Sequence, residues 1–303
     1  MKEIPDIALR LTATCVLAAA IMGGAFMLTS EAKLHNEHIA EQEVMLGLLG
    51  YNTENPAPDS MKPFSLYRYI LSRGEDKFIG YILPVTGSSG NEYRMLTIDL
   101  DGKFAATYPL SIAPEKIADK GERDKAMAAD LPGDLSFFFA DAAIVVNNGD
   151  KRQAYLLPGE FPGFKAVIKV FLALDPQLTV LGYDVVEHEE DPGLGDGIEM
   201  AYFKNQFRDK TVDAMKSIKV VKIPLPDEYR DYLEQEVWDT EMLDAQQKAI
   251  KEKYRDSDIH ALTGATISSD AVANGLKTMV KKFSYRLRVL ENVISEQSVP
   301  VAF

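Results

Sequence analysis

The chain has 303 residues, enough for one large domain or two small ones. Lys+Arg total 33 against 46 Asp+Glu, so the net charge is −13. This argues against nucleic acid, whose binding needs Lys and Arg to neutralise phosphates, and against a polybasic lipid-binding surface. The single cysteine, Cys15, rules out an internal disulfide, a Cys-rich zinc site and an iron–sulfur cluster. Four scattered histidines (His35, His38, His188, His260) leave little for a histidine-based metal centre, and no metal site is expected. Redox chemistry in this chain would need an organic cofactor.

The region 1–33 contains an uncharged stretch, Leu11–Ser30. As a helix it would span about 30 Å, the thickness of a bilayer core. Lys2 and Arg10 precede it and Lys33 follows, so the positive-inside bias puts the N-terminus in the cytoplasm. The rival reading is a cleaved signal peptide. Its apolar run would be shorter and end in an A-x-A-like site, which is not seen near Thr29–Ala32. A transmembrane anchor (11–30) is the preferred reading, with Cys15 a small apolar filler in lipid. Residues 34–63 then read as a polar helix running on to Leu49, followed by a proline-rich linker, Tyr51–Pro63.

Two later stretches resemble each other at a constant offset of 74 residues (144 − 70). Ile70, Asp76, Lys77, Tyr81, Leu83, Pro84, Leu100 and Asp101 recur as Ile144, Asp150, Lys151, Tyr155, Leu157, Pro158, Leu174 and Asp175 without a gap. We read this as a duplication. Strands are expected at Leu66–Ser72, Phe78–Leu83, Glu92–Ile98 and Phe104–Tyr108. A second set is expected at Ala142–Asn147, Gln153–Leu157, Ala166–Leu174 and Thr179–Val186. Short turns such as Asp101-Gly102 and Asp175-Pro176 favour antiparallel pairing. A polar helix over 116–131 separates the two copies. Ser136–Val146 is apolar but too short to be a second span. The charged 227–258 stretch, with Tyr232, Val237, Leu243 and Ile250 at loosely helical spacing, reads as a solvated surface helix. The expected class is therefore α+β: one transmembrane helix, then an exported, mainly antiparallel sheet plus helices. Its parts are an extra strand block at 64–135 and a main domain at 136–303.

Two segments can carry chemistry. Glu187–Gly197 (EHEEDPGLGDG) follows a strand and holds three glycines that permit close backbone approach. It is a poor dinucleotide fingerprint, lacks the EF-hand pattern, and its adjacent Glu189 and Glu190 would point in different directions as an acid/base pair. A tight acidic turn is the bland alternative. Leu262–Ser269 (LTGATISS) sets hydroxyls around an open Gly264-Ala265 dipeptide. A helix follows, with Val272, Leu276, Met279, Val280 and Phe283 on one face and Ser268, Ser269 or Asp270 as its expected cap. A hydroxyl-rich loop entering a helix suits a phosphate, though without the lysine of a P-loop. An ordinary capped helix start is the bland reading.

Together the segments resemble the FMN-binding domain family, and within it the G subunit of the Rnf electron-transport complex. The C subunit of the sodium-translocating NADH:quinone reductase is a near relative and the alternative assignment. Glu190–Gly195 (E-D-P-G-L-G) stands where the family has E-T-P-G-L-G, and Thr263–Ser268 matches its [ST]-G-A-T-x-[ST] motif. The anchor, the G-Y-D-V-V-E-H strand end and F-K-N-Q-F-R-D-K at 203–210 fit the same order. The resemblance implies FMN bound covalently through a phosphoester to Thr266, attached by a separate flavin transferase. It implies a cofactor site of Thr263, Gly264, Ala265, Thr266 and Ser268 with Glu190, Asp191, Pro192, Gly193, Leu194 and Gly195. It further implies an electron-transfer subunit, not a stand-alone catalyst. Such a subunit serves a membrane-bound, ion-translocating ferredoxin:NAD oxidoreductase, beside other membrane and iron–sulfur subunits. The location implied is the cell inner (plasma) membrane, single-pass, with the main domain periplasmic or otherwise extracytoplasmic. Three departures stand out. Asp191 replaces a threonine and puts an acid near the ring. His260 stands where the family's transferase motif has Asp, with Asp258 two residues earlier. Residues 64–135 have no place in the shorter family domain and contain neither motif. These departures motivate a competing class, a non-redox anchored binding or assembly module. A third possibility is a free-standing anchored flavoprotein reductase.

Overall fold

The computed structural model describes residues 3–87, 90–235 and 243–303, in two units that divide between Val44 and Met45. The first unit is the bulk of helix α1 (Glu3–Leu48), 46 residues long. Its apolar window is Ile7–Met27, 21 residues of mean hydropathy 1.7 and wholly unburied. The window starts four residues before the expected Leu11 because Ile7, Ala8 and Leu9 extend the apolar run around Arg10. It stops short of Thr29 and Ser30. Thr12 and Thr14 bond back to Ala8 O (2.9 Å) and Arg10 O (2.7 Å), which satisfies their hydroxyls within the helix. Lys2, the first of the flanking cations, lies outside the described residues.

The second unit is built on one eight-stranded antiparallel sheet. Its strands are β1 (Met61–Arg73), β2 (Asp76–Gly87), β3 (Gly90–Asp99), β4 (Phe104–Leu110), β5 (Ser136–Asn148), β6 (Lys151–Pro162), β7 (Val167–Leu174) and β8 (Val180–Glu187). The order β4-β3-β2-β1-β5-β6-β7-β8 is two four-stranded meanders joined along β1 and β5. All eight expected strands exist, most of them longer than read. Helix α2 (Lys120–Asp130) replaces the broader 116–131 helix. Asp119 caps it on Glu122 N, and a separate 3₁₀ turn occupies Pro114–Lys116.

The meanders match in geometry, but not at the 74-residue offset. The hairpin glycines Gly74 and Gly149 (φ 58 and 60) are 75 apart (149 − 74). The β3–β4 and β7–β8 turns share one hydrogen-bond scheme, Asp99 N to Lys103 O and Asp175 N to Thr179 O, each 2.9 Å, and they are 76 apart (175 − 99). The extra residue is Gln153, skipped where the β5–β6 register shifts between Val146 and Asn147. Tyr81 therefore corresponds in space to Leu157 rather than to Tyr155. Beyond Gln153 the error is two residues and keeps the same face; before it, at Ile70, Asp76 and Lys77, the error is one residue. Tyr67 pairs with Ala142, its own counterpart 75 residues on (142 − 67), so an approximate two-fold axis crosses that pair.

One sheet face and helix α7 (Thr266–Glu296) enclose the main core, which includes Tyr155, Leu172, Phe203, Phe207, Val272, Leu276 and Val280. On the opposite face, Met127 of α2 and Leu131 just after it pack against Tyr69, Leu71 and Ile82. Met45, Leu48 and Leu49 cover Val146, Ala154 and Leu156. Near the axis, Asp141 accepts from Arg68 Nε at 2.7 Å and from Arg286 of α7 at 2.9 Å. After α7 the chain returns to β2, with Thr86 N donating to Pro300 O (2.8 Å) and Ala302 N to Pro84 O (3.0 Å).

The 227–258 stretch is not one solvated helix. It forms α5 (Asp227–Leu233) and α6 (Ala245–Tyr254), where Tyr229, Tyr232, Leu233 and Leu243 make a small core of their own. Tyr229 stacks on Tyr254 with centroids 4.2 Å apart. Val237 lies outside the described residues.

Candidate functional site

β8 ends at Glu187, and the loop that follows is organised by Glu190. This carboxylate is 4% exposed. Its Oε1 accepts the amide protons of Phe164 (2.8 Å) and Lys165 (3.2 Å) from the β6–β7 hairpin. Its Oε2 accepts the hydroxyl of Ser268 in the first turn of α7. The Glu190 N–H donates to His188 Nδ1 (3.0 Å), whose Nε2 faces Glu199 at 3.2 Å. Glu190 thus joins three segments that are distant in sequence. Two glycines make room for it: a Cβ on Gly163 would lie 2.4 Å from Oε1, and one on Gly195 2.9 Å from Oε2 and from Ser268 Oγ. Among the described residues the neighbouring Glu189 makes no such set of hydrogen bonds, and it acts on Lys165 through charge alone.

From Asp191 the loop closes on itself, with Leu194 N and Asp196 N donating to Asp191 O (3.1 and 3.3 Å) and Gly193 at φ 77. A 3₁₀ turn, Gly195–Glu199, follows, and Tyr183 OH donates to Ile198 O at 2.9 Å. The Asp191 side chain forms an ion pair with Lys165, whose pKa is pushed above its usual value by that hydrogen bond and charge. The acid that the sequence reading puts near a ring is paired with a cation.

The second segment meets the first directly. Gly264 has φ 82, which favours glycine, and a Cβ there would lie 2.9 Å from Leu194 Cδ2, so the two loops meet at this point. Helix α7 starts at Thr266, with Ala265 as N-cap and no side-chain cap. The expected caps are displaced: Ser268 and Ser269 already lie inside the first turn. Ser269 Oγ donates to Ala265 O (2.9 Å) and accepts from Leu262 N (3.0 Å), holding the loop on the helix, while Ser268 binds Glu190. Among the described residues the N–H groups of Thr266, Ile267 and Ser268 and the Thr266 hydroxyl have no hydrogen-bond partner. Thr263 is exposed and Thr266 half-buried. Free amides, the positive end of a 31-residue helix and a free hydroxyl suit a phosphate ester. The exposed Leu194 and Ile267 suit a planar apolar ring. The residues present therefore fit FMN.

The approach to this loop is pinned from below. His260 N donates to Gln206 Oε1 (2.7 Å), and Gln206 Nε2 to His260 O (3.2 Å). The Ile259–His260 segment (β10) pairs in parallel with Val220–Val221 (β9), which follows helices α3 (Ala201–Lys204) and α4 (Val212–Ser217). His260 Nδ1 lies 2.9 Å from Ile223 O, and Asp258 Oδ1 accepts from Lys219 N (2.9 Å). Lys210 is 1% exposed and donates to Arg255 O (2.9 Å) and Ser257 O (2.7 Å). Burial lowers its pKa to about 8 against the pull of Asp256 and Asp258.

The structure thus gathers Glu190, Asp191, Gly193, Leu194, Gly195, Thr263, Gly264, Ala265, Thr266 and Ser268 around one loop–helix junction. Glu190 and Ser268 face each other rather than outward. Sequence reasoning missed the hairpin loop residues Phe164 and Lys165. The Pro162-Gly163 pair signals a turn there, but nothing local says what the turn touches.

Residues 163–281 match the family described as the FMN-binding domain, a segment that contains both motifs and the hairpin loop. Among curated relatives, the G subunit of the proton-translocating ferredoxin:NAD(+) oxidoreductase complex of Clostridium ljungdahlii is 30% identical over 134 residues, 44% of this chain and 55% of that protein. The G subunit of the ion-translocating oxidoreductase complex of Haemophilus influenzae is 36% identical over 126 residues, 40% of this chain and 59% of that protein. The matched stretches thus span a little over half of these relatives. Shewanella oneidensis NqrC aligns with a TM-score of 0.43 and 17% identity over 80% of this chain and 91% of that one.

Proposed function

We propose that the protein is an electron-transfer subunit carrying FMN covalently on Thr266, within a membrane-bound Rnf-type ferredoxin:NAD oxidoreductase that translocates ions. The observation that carries this reading is the junction of the two motifs: Glu190 of the E-D-P-G-L-G loop accepts the hydroxyl of Ser268, two residues past the free hydroxyl of Thr266. Bound FMN would supply one- and two-electron transfer, which the side chains of this chain cannot. The chain's own part is to hold the phosphate end at the first amides of α7 and to hold the ring against Leu194 and Ile267. Lys165 offsets the charge of Asp191 beside it. A flavin transferase would attach the group, and other membrane and iron–sulfur subunits would exchange electrons with it. Ile7–Met27 would anchor the chain once in the inner membrane, N-terminus inside and the sheet domain outside.

The test is mass spectrometry of the tryptic peptide Asp256–Lys277 from cells that contain a flavin transferase. The wild-type peptide is expected to gain one FMN less one water, and the Thr266→Ala peptide to gain nothing. An unmodified wild-type peptide, from cells that flavinylate a related subunit, sinks the reading.

A further inference from the structure

Three large apolar side chains remain in solvent around the buried Glu190: Phe164 at 56% exposure, Leu194 at 48% and Ile267 at 59%. Singly they would be ordinary surface residues; grouped, they mark a surface that something covers. Each belongs to a segment that Glu190 ties down. The Phe164 amide itself donates to Oε1, Leu194 lies in the loop that Glu190 opens, and Ile267 precedes the bound Ser268. The path from the Phe164 amide to the Ser268 hydroxyl is two hydrogen bonds across one carboxylate, about 7 Å.

The hairpin that presents Phe164 has little freedom. Gly163 N donates to Ala166 O at 2.7 Å, and the next two amides share one carboxylate oxygen. On its far side, Lys165 pairs with Asp191 of the opposing loop. The backbone that carries this exposed aromatic side chain is therefore fixed through Glu190 to Ser268, two residues past Thr266.

We infer that Phe164 is a wall of the flavin site and positions the ring. The inference rests on FMN being attached at Thr266. A phosphoester fixes only one end of that group, and the ring would turn freely about its sugar-alcohol chain unless apolar side chains held it. Leu194 and Ile267 supply contacts from two segments, and Phe164 supplies the third, from a hairpin that neither motif includes.

The test uses the full chain made with a flavin transferase, as wild type, Phe164→Trp, Phe164→Ala and Tyr285→Trp. Attachment is read by peptide mass, and emission is normalised to FMN per chain. Indole in contact with a flavin quenches its fluorescence by electron transfer. Phe164→Trp is expected to lower flavin emission several-fold, and Phe164→Ala to lower its anisotropy. Tyr285→Trp is the control. It lies 19 residues beyond Thr266 on α7 (285 − 266), about 28 Å along the helix, and is expected to change neither. Flavinylated Phe164 variants with wild-type emission and anisotropy overturn the inference and leave attachment standing. A wild-type chain without FMN overturns both. If Phe164→Trp does not accumulate, the anisotropy of Phe164→Ala decides.

Discussion

Ser268 donates its hydroxyl to Glu190 across 78 residues of sequence, and the same carboxylate holds two amides of the β6–β7 hairpin. Glu190→Ala would leave three donors facing a void. The expected cost is about 2–4 kcal/mol, against about 1 kcal/mol for Ser268→Ala, which removes one donor. Urea unfolding of both variants measures the difference. Equal midpoints for wild type and Glu190→Ala would show that the carboxylate is not the organiser.

The two loop glycines separate contact from conformation. Gly195→Ala drives a Cβ to 2.9 Å from Glu190 and Ser268, whereas Gly193→Ala meets open space and bears only its φ of 77. Gly193→Ala is expected to cost about 1–2 kcal/mol and to keep flavinylation. Gly195→Ala is expected to lose most of it, because Glu190 and Ser268 must part. The FMN content of the two purified chains provides the comparison.

Lys210 makes stability depend on pH. Its folded pKa of about 8 lies below the ordinary 10.5. Between these values the unfolded chain holds a proton that the folded chain does not, so stability rises as pH rises through this window. Below pH 8 both states are charged and the full cost of burying the cation is present. From pH 7.5 to 9.5, wild type should gain about 2 kcal/mol relative to Lys210→Met. Parallel pH profiles for the two chains would refute the depressed pKa.

Asp141 gathers Arg68 from one half of the sheet and Arg286 from α7. Asp141→Ala leaves two cations facing each other. Asp141 is 42% exposed, so solvent screens the pair, and the expected loss is about 1–2 kcal/mol rather than the larger figure for a buried triad. A second change, Arg286→Leu, should recover part of it. Thermal melts of the single and double variants measure this coupling.

Much of the site was legible because its parts are local. E-D-P-G-L-G and T-G-A-T announce tight backbone and free hydroxyls from residue type alone, and the alternation in β1–β8 announces strands. What was hidden is tertiary. Nothing near Glu190 says that its partners are the Phe164 and Lys165 amides, and nothing near Lys165 says that it will neutralise Asp191. The start of α7 was misplaced because Ser268 and Ser269 are good caps in isolation, yet here their hydroxyls are spent on Glu190 and on Ala265. The repeat was seen but misregistered, by one residue before Gln153 and by two after it, and the skipped Gln153 leaves no mark on residue identity. The tyrosine core of 227–258 was hidden by the charges that surround it.

The pairing of Tyr67 with Ala142 has a consequence for how the sheet assembles. Without β1, strand β5 would be the bare edge of the half that holds both motifs, and an edge of that kind ordinarily finds its complement in another chain, by a step second order in protein. Here the complement is tethered through α2 to the same polypeptide. Completion of the sheet is therefore first order, and dilution does not undo it. The half that holds both motifs keeps its edge covered at any expression level.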